Sequence, residues 1–461
     1  MTYFLMVMNL DERLNPTEKR AAYSLALLFA LRMAGLFMLM PVLAVYGQEL
    51  VGFSPLWVGF AIGAYGLTQA MFQIPMGWLS DKVGRKPIIF LGLSIFALGS
   101  VVAATADSIY GIALGRALQG MGAIASTVMA LAADLSRETQ RAKVMAFIGV
   151  SIGLSFAASL VLGPILSAYL GLSGLFWLIA VLSVFAMFVV RFAVPSADSK
   201  APSGEVSANS KQMLELLKHP QLLRLDWGVF TLHLVLTALF VVMPFRLLDA
   251  GLNAENHWQV YLPAVLISFV LMVPLLIIAA KRNQQRAFFI FAISLLLFAN
   301  ALLLINGSSI WVLGVILAVF FVGFNYLEAS LPALISNLCP PGNKGAALGV
   351  FSTSQFLGAF IGGSSAGVLY TAGGASLVSW FAIALLIIWI VVSLGLRAQS
   401  GIKSYSLTIS SPDQPASILE KLQVLPGVVE AVVIASDNTV YLKVKTKEFE
   451  LARALDLVRA A

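Results

Sequence analysis

Residues 77–86 read Gly77-Trp78-Leu79-Ser80-Asp81-Lys82-Val83-Gly84-Arg85-Lys86. Two glycines, one carboxylate and three cations fall within ten residues, and long apolar stretches flank them on both sides. The glycines allow close packing and a turn that a side chain would obstruct. Asp81 stands where the positive end of a helix could meet it, a contact of about 0.3–1 kcal/mol at a surface. The surrounding chain has 461 residues, 59% of them hydrophobic and 11% charged. Average soluble domains are roughly 25% charged. Too few polar side chains exist to cover a water-soluble globule, so soluble enzymes, nucleic-acid-binding domains and disordered chains are excluded. One cysteine (Cys339) and three histidines (His219, His233, His257) leave no disulfide scaffold or cysteine-cluster metal site. No metal and no cofactor are expected. The chain carries no nucleophile–base pair and no nucleotide-binding loop, so it reads as a membrane protein that is not an enzyme.

A bilayer core takes roughly 20 apolar residues as a helix. Twelve such runs are predicted, at 21–46, 54–79, 87–106, 108–132, 143–170, 174–195, 224–248, 258–280, 287–306, 309–336, 346–371 and 375–396. They divide into a six-helix bundle (1–195), a polar linker (196–220) with a short amphipathic helix near Met213–Lys218, and a second bundle (221–397). Of the 29 Lys and Arg residues, all but Arg246, Arg32 and Arg116 fall on the side shared by the termini, the linker and the tail. Positive charge marks the cytoplasmic side, so both termini are expected there. The net charge of +7 is then an orientation signal with affinity for anionic lipid, and it is no argument for nucleic acid.

The loop at 77–86 resembles the G-x-L-a-D-r-x-G-r-k signature of the major facilitator superfamily. With the six-plus-six layout, the likeness covers about residues 17–397. The resemblance implies an all-α fold that works by alternating access. Gly77, Asp81, Gly84, Arg85 and Lys86 would form a conformational latch with Asp134, with Asp81 facing the start of span 11. Leu114-Gly115-Arg116-Ala117-Leu118-Gln119-Gly120 in span 4 resembles the family's arginine motif, which in proton-driven members couples proton and substrate. Span 5 carries Gly163-Pro164 of the antiporter glycine motif, but Ser167-Ala168 stand where two further glycines belong, and Ser159 replaces an earlier one. The spacing Gly149-x-x-x-Gly153 reads as a helix-packing face.

Ionisable residues deep in spans are costly and usually face a cavity. At 1.5 Å per residue, Arg32, His233, Glu328 and Arg116 lie roughly 17, 15, 12 and 24 Å in from the terminus side. They sit on spans 1, 4, 7 and 10, which the resemblance makes the cavity-lining helices. Glu328 is the one deep carboxylate, and desolvation favours its neutral form unless a cation offsets it. It either binds and releases a proton together with Arg116, or is a structural acid paired to an arginine. His233 either relays a proton or bonds a backbone carbonyl. Arg32 and Arg116 call for a substrate with anionic or electron-rich groups, unless one of them serves structure. Gln69, Asn325, Tyr326 and Gln355 are further cavity candidates, although such polar stripes often only hold helices together. Asp226 and His257 fall at span ends.

Residues 402–461 hold 14 of the 51 charged side chains and form a separate unit. Strands are expected at Ile402–Ile409, Val428–Ala435 and Thr439–Lys445, and helices at Pro415–Leu425 and Lys447–Val458. That β-α-β-β-α order, with a turn at Ser436-Asp437-Asn438, is the ferredoxin-like pattern. The Leu425-Pro426-Gly427-Val428 turn resembles that of heavy-metal-associated domains, but Ser410-Ser411-Pro412-Asp413 offers none of their thiols. A regulatory module that binds the central linker or a ligand is expected instead. Superfamily members with such a tail imply a bacterial inner-membrane drug:proton antiporter, read here as a monomer whose partners are a small-molecule substrate, protons and the bilayer. The alternatives are an importer on the same fold and a non-transporting sensor.

Overall fold

The computed structural model describes residues 14–197, 215–305, 309–340, 343–396, 402–408, 415–434, 439–445 and 448–459. Most of the linker, Met213 included, and the tail segments 409–414 and 435–438 lie outside the described residues.

Nine described segments are long and apolar enough to cross a membrane. The first bundle comprises α1 (Pro16–Phe37), α2 (Pro55–Val83), α3 (Arg85–Ala104), α4 (Ile109–Met121), α5 (Ala125–Asp134) and α6 (Glu138–Phe188). The second comprises α7 (Pro220–Asp249), α8 (Trp258–Lys281), α9 (Gln285–Ile305), α10 (Ile310–Leu338) and α11 (Lys344–Ser393). Both α6 and α11 turn back on themselves, at Gly171 (φ 67°) and at Gly374 (φ 66°). Those are left-handed conformations that glycine adopts without strain.

Helix ends are written in the local sequence. Asn15 and Glu18 cap α1 reciprocally, the Glu18 amide donating to Asn15 Oδ1 at 2.7 Å and the Asn15 amide to Glu18 Oε2 at 2.8 Å. Two expected spans are interrupted. The first was read as continuous to residue 46, but α1 stops at Phe37 and a separate helix, Leu43–Tyr46, follows. Pro41 has no N–H to give and its ring opposes the Phe37 carbonyl. The fourth breaks between α4 and α5 at residues 122–124, and a buried arginine occupies the carbonyl so freed.

Each bundle has its own apolar core. The halves meet most closely at the end remote from the linker, where α2 packs on α11. A Cβ on Gly59 would stand 2.1 Å from the Gly363 carbonyl oxygen. On the linker side, a Cβ on Gly149 of α6 would have nothing within 4 Å. The contrast makes a prediction. Gly59→Ala gains at most about 1 kcal/mol of helix propensity, but forces two backbones apart at a typical cost of about 1–3 kcal/mol. It should lower the unfolding temperature in detergent, whereas Gly149→Ala should leave it unchanged or raise it; equal shifts would contradict this packing.

The tail forms a three-stranded antiparallel sheet, β1 (Ile402–Thr408), β2 (Val428–Ile434) and β3 (Thr439–Lys445), in the order β1-β3-β2. Helices α12 (Pro415–Gln423) and α13 (Leu451–Arg459) supply Ile418, Leu422, Ala454 and Val458 to a core with Val440, Leu442 and Val444.

Candidate functional site

The 77–86 stretch forms the end of α2, a one-residue joint and the start of α3. Gly84 is that joint, with φ 111° and ψ 152°, a conformation closed to side-chain-bearing residues. It delivers Arg85 into the bundle. The guanidinium, 8% exposed, donates from Nε to Asp134 Oδ2 at 3.0 Å and from Nη1 to Ser80 Oγ at 2.8 Å. It also pairs with Asp81 at 2.5 Å. The side chain of Asp134 is 1% exposed and that of Asp81 is 30% exposed. Gly77 faces Ser126 of α5. Lys86 instead caps the end of the first bundle, donating to the Val194 carbonyl at 2.8 Å. A second clamp nearby escaped the sequence reading: Arg137 donates from Nε and its own amide, both at 2.9 Å, to Glu18, which is 1% exposed. Its signal was a carboxylate in a first helical turn already capped by Asn15.

Deeper in the first bundle, the two arginines do not line open space. Arg32 is 3% exposed and donates from Nη2 to Gln69 Oε1 at 2.8 Å and to the Gly122 carbonyl at 3.0 Å. Gly122 lies in the break between α4 and α5, so Arg32 satisfies a carbonyl that the interrupted helix leaves free. Gln69 continues the chain to Gln73 at 2.6 Å. Arg116 is 1% exposed, donates to Gln119 Oε1 at 2.7 Å and lies 4.8 Å over the Tyr65 ring. These partners all belong to the first bundle. Gly163 is packed for a different reason, since a Cβ there would stand 2.5 Å from the Met38 carbonyl beside the interruption of span 1. Pro164 follows it inside α6.

The second bundle brings Glu328, His233 and Gln355 together from α10, α7 and α11. Glu328 Oε2 lies 3.6 Å from His233 Nε2. Gln355 Nε2 lies 2.8 Å from the same imidazole nitrogen, and His233 Nδ1 is 3.2 Å from the Val229 carbonyl. A carbonyl only accepts, so Nδ1 donates to Val229, while Nε2 accepts from the Gln355 amide or, with that amide turned, donates to its oxygen. The imidazole lies beside a carboxyl whose side chain is 40% exposed in the middle of its span. A proton on Nε2 would require the Gln355 amide to turn, with its oxygen or Glu328 accepting. Arg116 and Glu328, expected to work as a pair, have their described partners in different bundles.

Asn325 ties α10 to α8 by donating to Ser268 Oγ at 2.8 Å, so it serves packing. Tyr326 is 3% exposed within the second core. Asp226 and His257, read as span-end residues, are 7% and 1% exposed. The sequence reading passed over an aromatic bridge between the halves. Phe37 of α1 and Phe156 of α6 lie 4.9 Å apart, and Phe156 lies 5.8 and 5.9 Å from Phe321 and Phe324 of α10. Phe324 in turn is 5.9 Å from the His233 ring. Its spacing of four from Glu328 was the available signal, because it puts both on one helix face.

A family model described as Major Facilitator Superfamily matches residues 25–363. The chain belongs to the major facilitator superfamily. It is thus a membrane transport protein rather than an enzyme. It is 42% identical over 449 residues to the inner membrane transport protein YajR of Escherichia coli (strain K12), a match covering 96% of this chain and 99% of YajR. It is 26% identical over 350 residues to the quinolone resistance protein NorA of Staphylococcus aureus, covering 73% and 86% of the two chains. The solved structure of the nucleoside transporter NupG matches with a TM-score of 0.65 at 13% identity, over 81% of this chain and 99% of NupG. That likeness concerns the fold alone.

Proposed function

We propose that the chain is a proton-coupled exporter of a small organic molecule, working by alternating access across a bacterial inner membrane with both termini in the cytoplasm. Twelve spans follow when α6 and α11 are divided at their glycines and Pro55–Val83, kept less hydropathic by its glycines and polar residues, is added to the nine apolar segments. Basic residues on the terminus side support the orientation, and the tail's strand order supports a ferredoxin-like unit.

The observation that carries the reading is the cluster of Glu328, His233 and Gln355. It offers one ionisable acid, an imidazole and an amide that can reverse its role, beside an aromatic bridge that both halves share. Protonating Glu328 removes the charge that would otherwise hold a proton on His233, so the cluster has two self-consistent hydrogen-bond arrangements. The tight contact of Gly59 with Gly363 and the open space at Gly149 support assigning this arrangement to the state open on the linker side. The latch of Arg85, Asp134 and Asp81 would engage α11 when that side closes, and Arg116 and Arg32 would stabilise the first bundle through the movement. The quinolone-resistance role of NorA supports export and a drug-like substrate.

The test is flux in proteoliposomes under an imposed pH gradient, across a panel of quinolones, other aromatic compounds and nucleosides. Export of at least one compound driven by inward proton flow is expected. Flux that ignores the gradient, or runs inward with protons, would remove the reading.

A further inference from the structure

The tail sheet is covered on a face that should be wet. Side chains along a strand alternate between faces, and Val440, Leu442 and Val444 of β3 face the tail's own core. With α12 and α13 on that side, Thr439, Tyr441 and Lys443 should meet water. They are instead 1%, 5% and 6% exposed. Lys443 identifies the cover: its Nζ donates to the Leu338 carbonyl at 3.3 Å and the Cys339 carbonyl at 3.0 Å. Leu338 ends α10 and Cys339 is its cap, where helix carbonyls lack intrahelical partners and the dipole is negative. An ammonium suits that position. Cys339 lies beneath it, 4% exposed. Lys344 opens α11 five residues after Cys339. The tail is therefore seated where the connection between the helix of Glu328 and the helix of Gln355 begins.

We propose that the tail is an intramolecular clamp: the face of Thr439, Tyr441 and Lys443 docks on the linker-side end of α10 and opposes closure of the cleft on that side. Docking stands on the geometry alone, while the clamp rests on the alternating-access reading. Closure would move the start of α11 toward the first bundle, and a tail seated on the α10–α11 connection would have to shift with it. A released tail removes that restraint, and docking and cleft opening favour each other by the same factor.

The chain's one cysteine is the reporter. Maleimide labelling of Cys339 in the full chain in lipid nanodiscs should be at least tenfold faster in Lys443→Glu, whose carboxylate repels those carbonyls. Lys445→Glu, at a lysine on the same strand that is 56% exposed, should stay within twofold of the parent, and Lys443→Arg should keep the protection. Burial pushes the Cys339 thiol up, so undocking should also move the labelling–pH profile toward lower pH. A Lys443→Glu rate within twofold of the parent, or an equal rise in Lys445→Glu, would overturn the docking. If Lys443→Glu does not fold, Lys443→Met removes the ammonium without reversing charge and must meet the same criterion. The clamp is tested by Gly149→Cys in a Cys339→Ser background: adding Lys443→Glu should slow its labelling from the linker side at least threefold. Unchanged labelling there, with Cys339 exposed, would overturn the clamp. Gly149→Cys labelling that never responds to an imposed pH gradient would instead count against alternating access.

Discussion

Substituting Glu328 by glutamine is expected to abolish the response of transport to a pH gradient while leaving exchange of substrate down its own gradient. Glutamine has nearly the same shape and can still bond His233, so loss of the titratable proton is the main change. Gradient-driven accumulation should fall at least tenfold, to the level seen without a gradient. The bland alternative is a structural carboxylate, and it makes the opposite forecast. A buried acid that held the bundle together would lose stability on substitution and keep the pH response. The Glu328 side chain is 40% exposed while the Oε2 that faces His233 is buried, so one oxygen addresses the imidazole and the rest of the group remains accessible. His233 sharpens the forecast further: its Nδ1 is committed to Val229, so only Nε2 can exchange a proton with Glu328.

The second large effect concerns the loop that opened the sequence reading. Replacing Arg85 by alanine takes from the Asp134 carboxylate, whose side chain is 1% exposed, the guanidinium that bonds it at 3.0 Å. Breaking such a pair from one side costs about 3–5 kcal/mol. Unfolding in detergent should move to markedly lower temperature, and transport should be lost. Adding Asp134→Asn should recover part of the stability, because the carboxylate that lost its guanidinium is then neutral. Asp81→Asn is milder: its side chain is 30% exposed, so screening weakens the pair, and folded protein should be obtained at normal yield with reduced transport. Normal transport in Asp81→Asn would refute the latch, and additive losses in the double variant would refute the pairing of Arg85 with Asp134.

Much of this architecture was legible because bilayer physics is severe. Apolar runs of fixed length and cations on one side are readable residue by residue, and Gly84 and Asp81 announce a tight, charged joint between two spans. The tail's strands were legible from alternation and its turns. What escaped was information held between segments. Nothing in the order of residues shows that Arg32 reaches the carbonyl freed by the break at Gly122, so it read as a cavity charge rather than a helix-end partner. Pro41 carries a signal for the interruption of span 1 that a reading by apolar length does not use. The alternation of β3 does not reveal that Lys443 is covered by the end of α10, a hundred residues earlier. Depth and the superfamily resemblance grouped Arg116 with Glu328, whereas their described partners lie in separate bundles.

The most direct measurement of the central claim is proton release by the purified protein on binding a transported compound, followed with a pH dye in weakly buffered detergent solution. If export is coupled to the proton on Glu328, the parent protein releases protons when the compound binds, and Glu328→Gln binds the same compound with no release. Equal release from both proteins, or binding to the parent with none, would contradict the account.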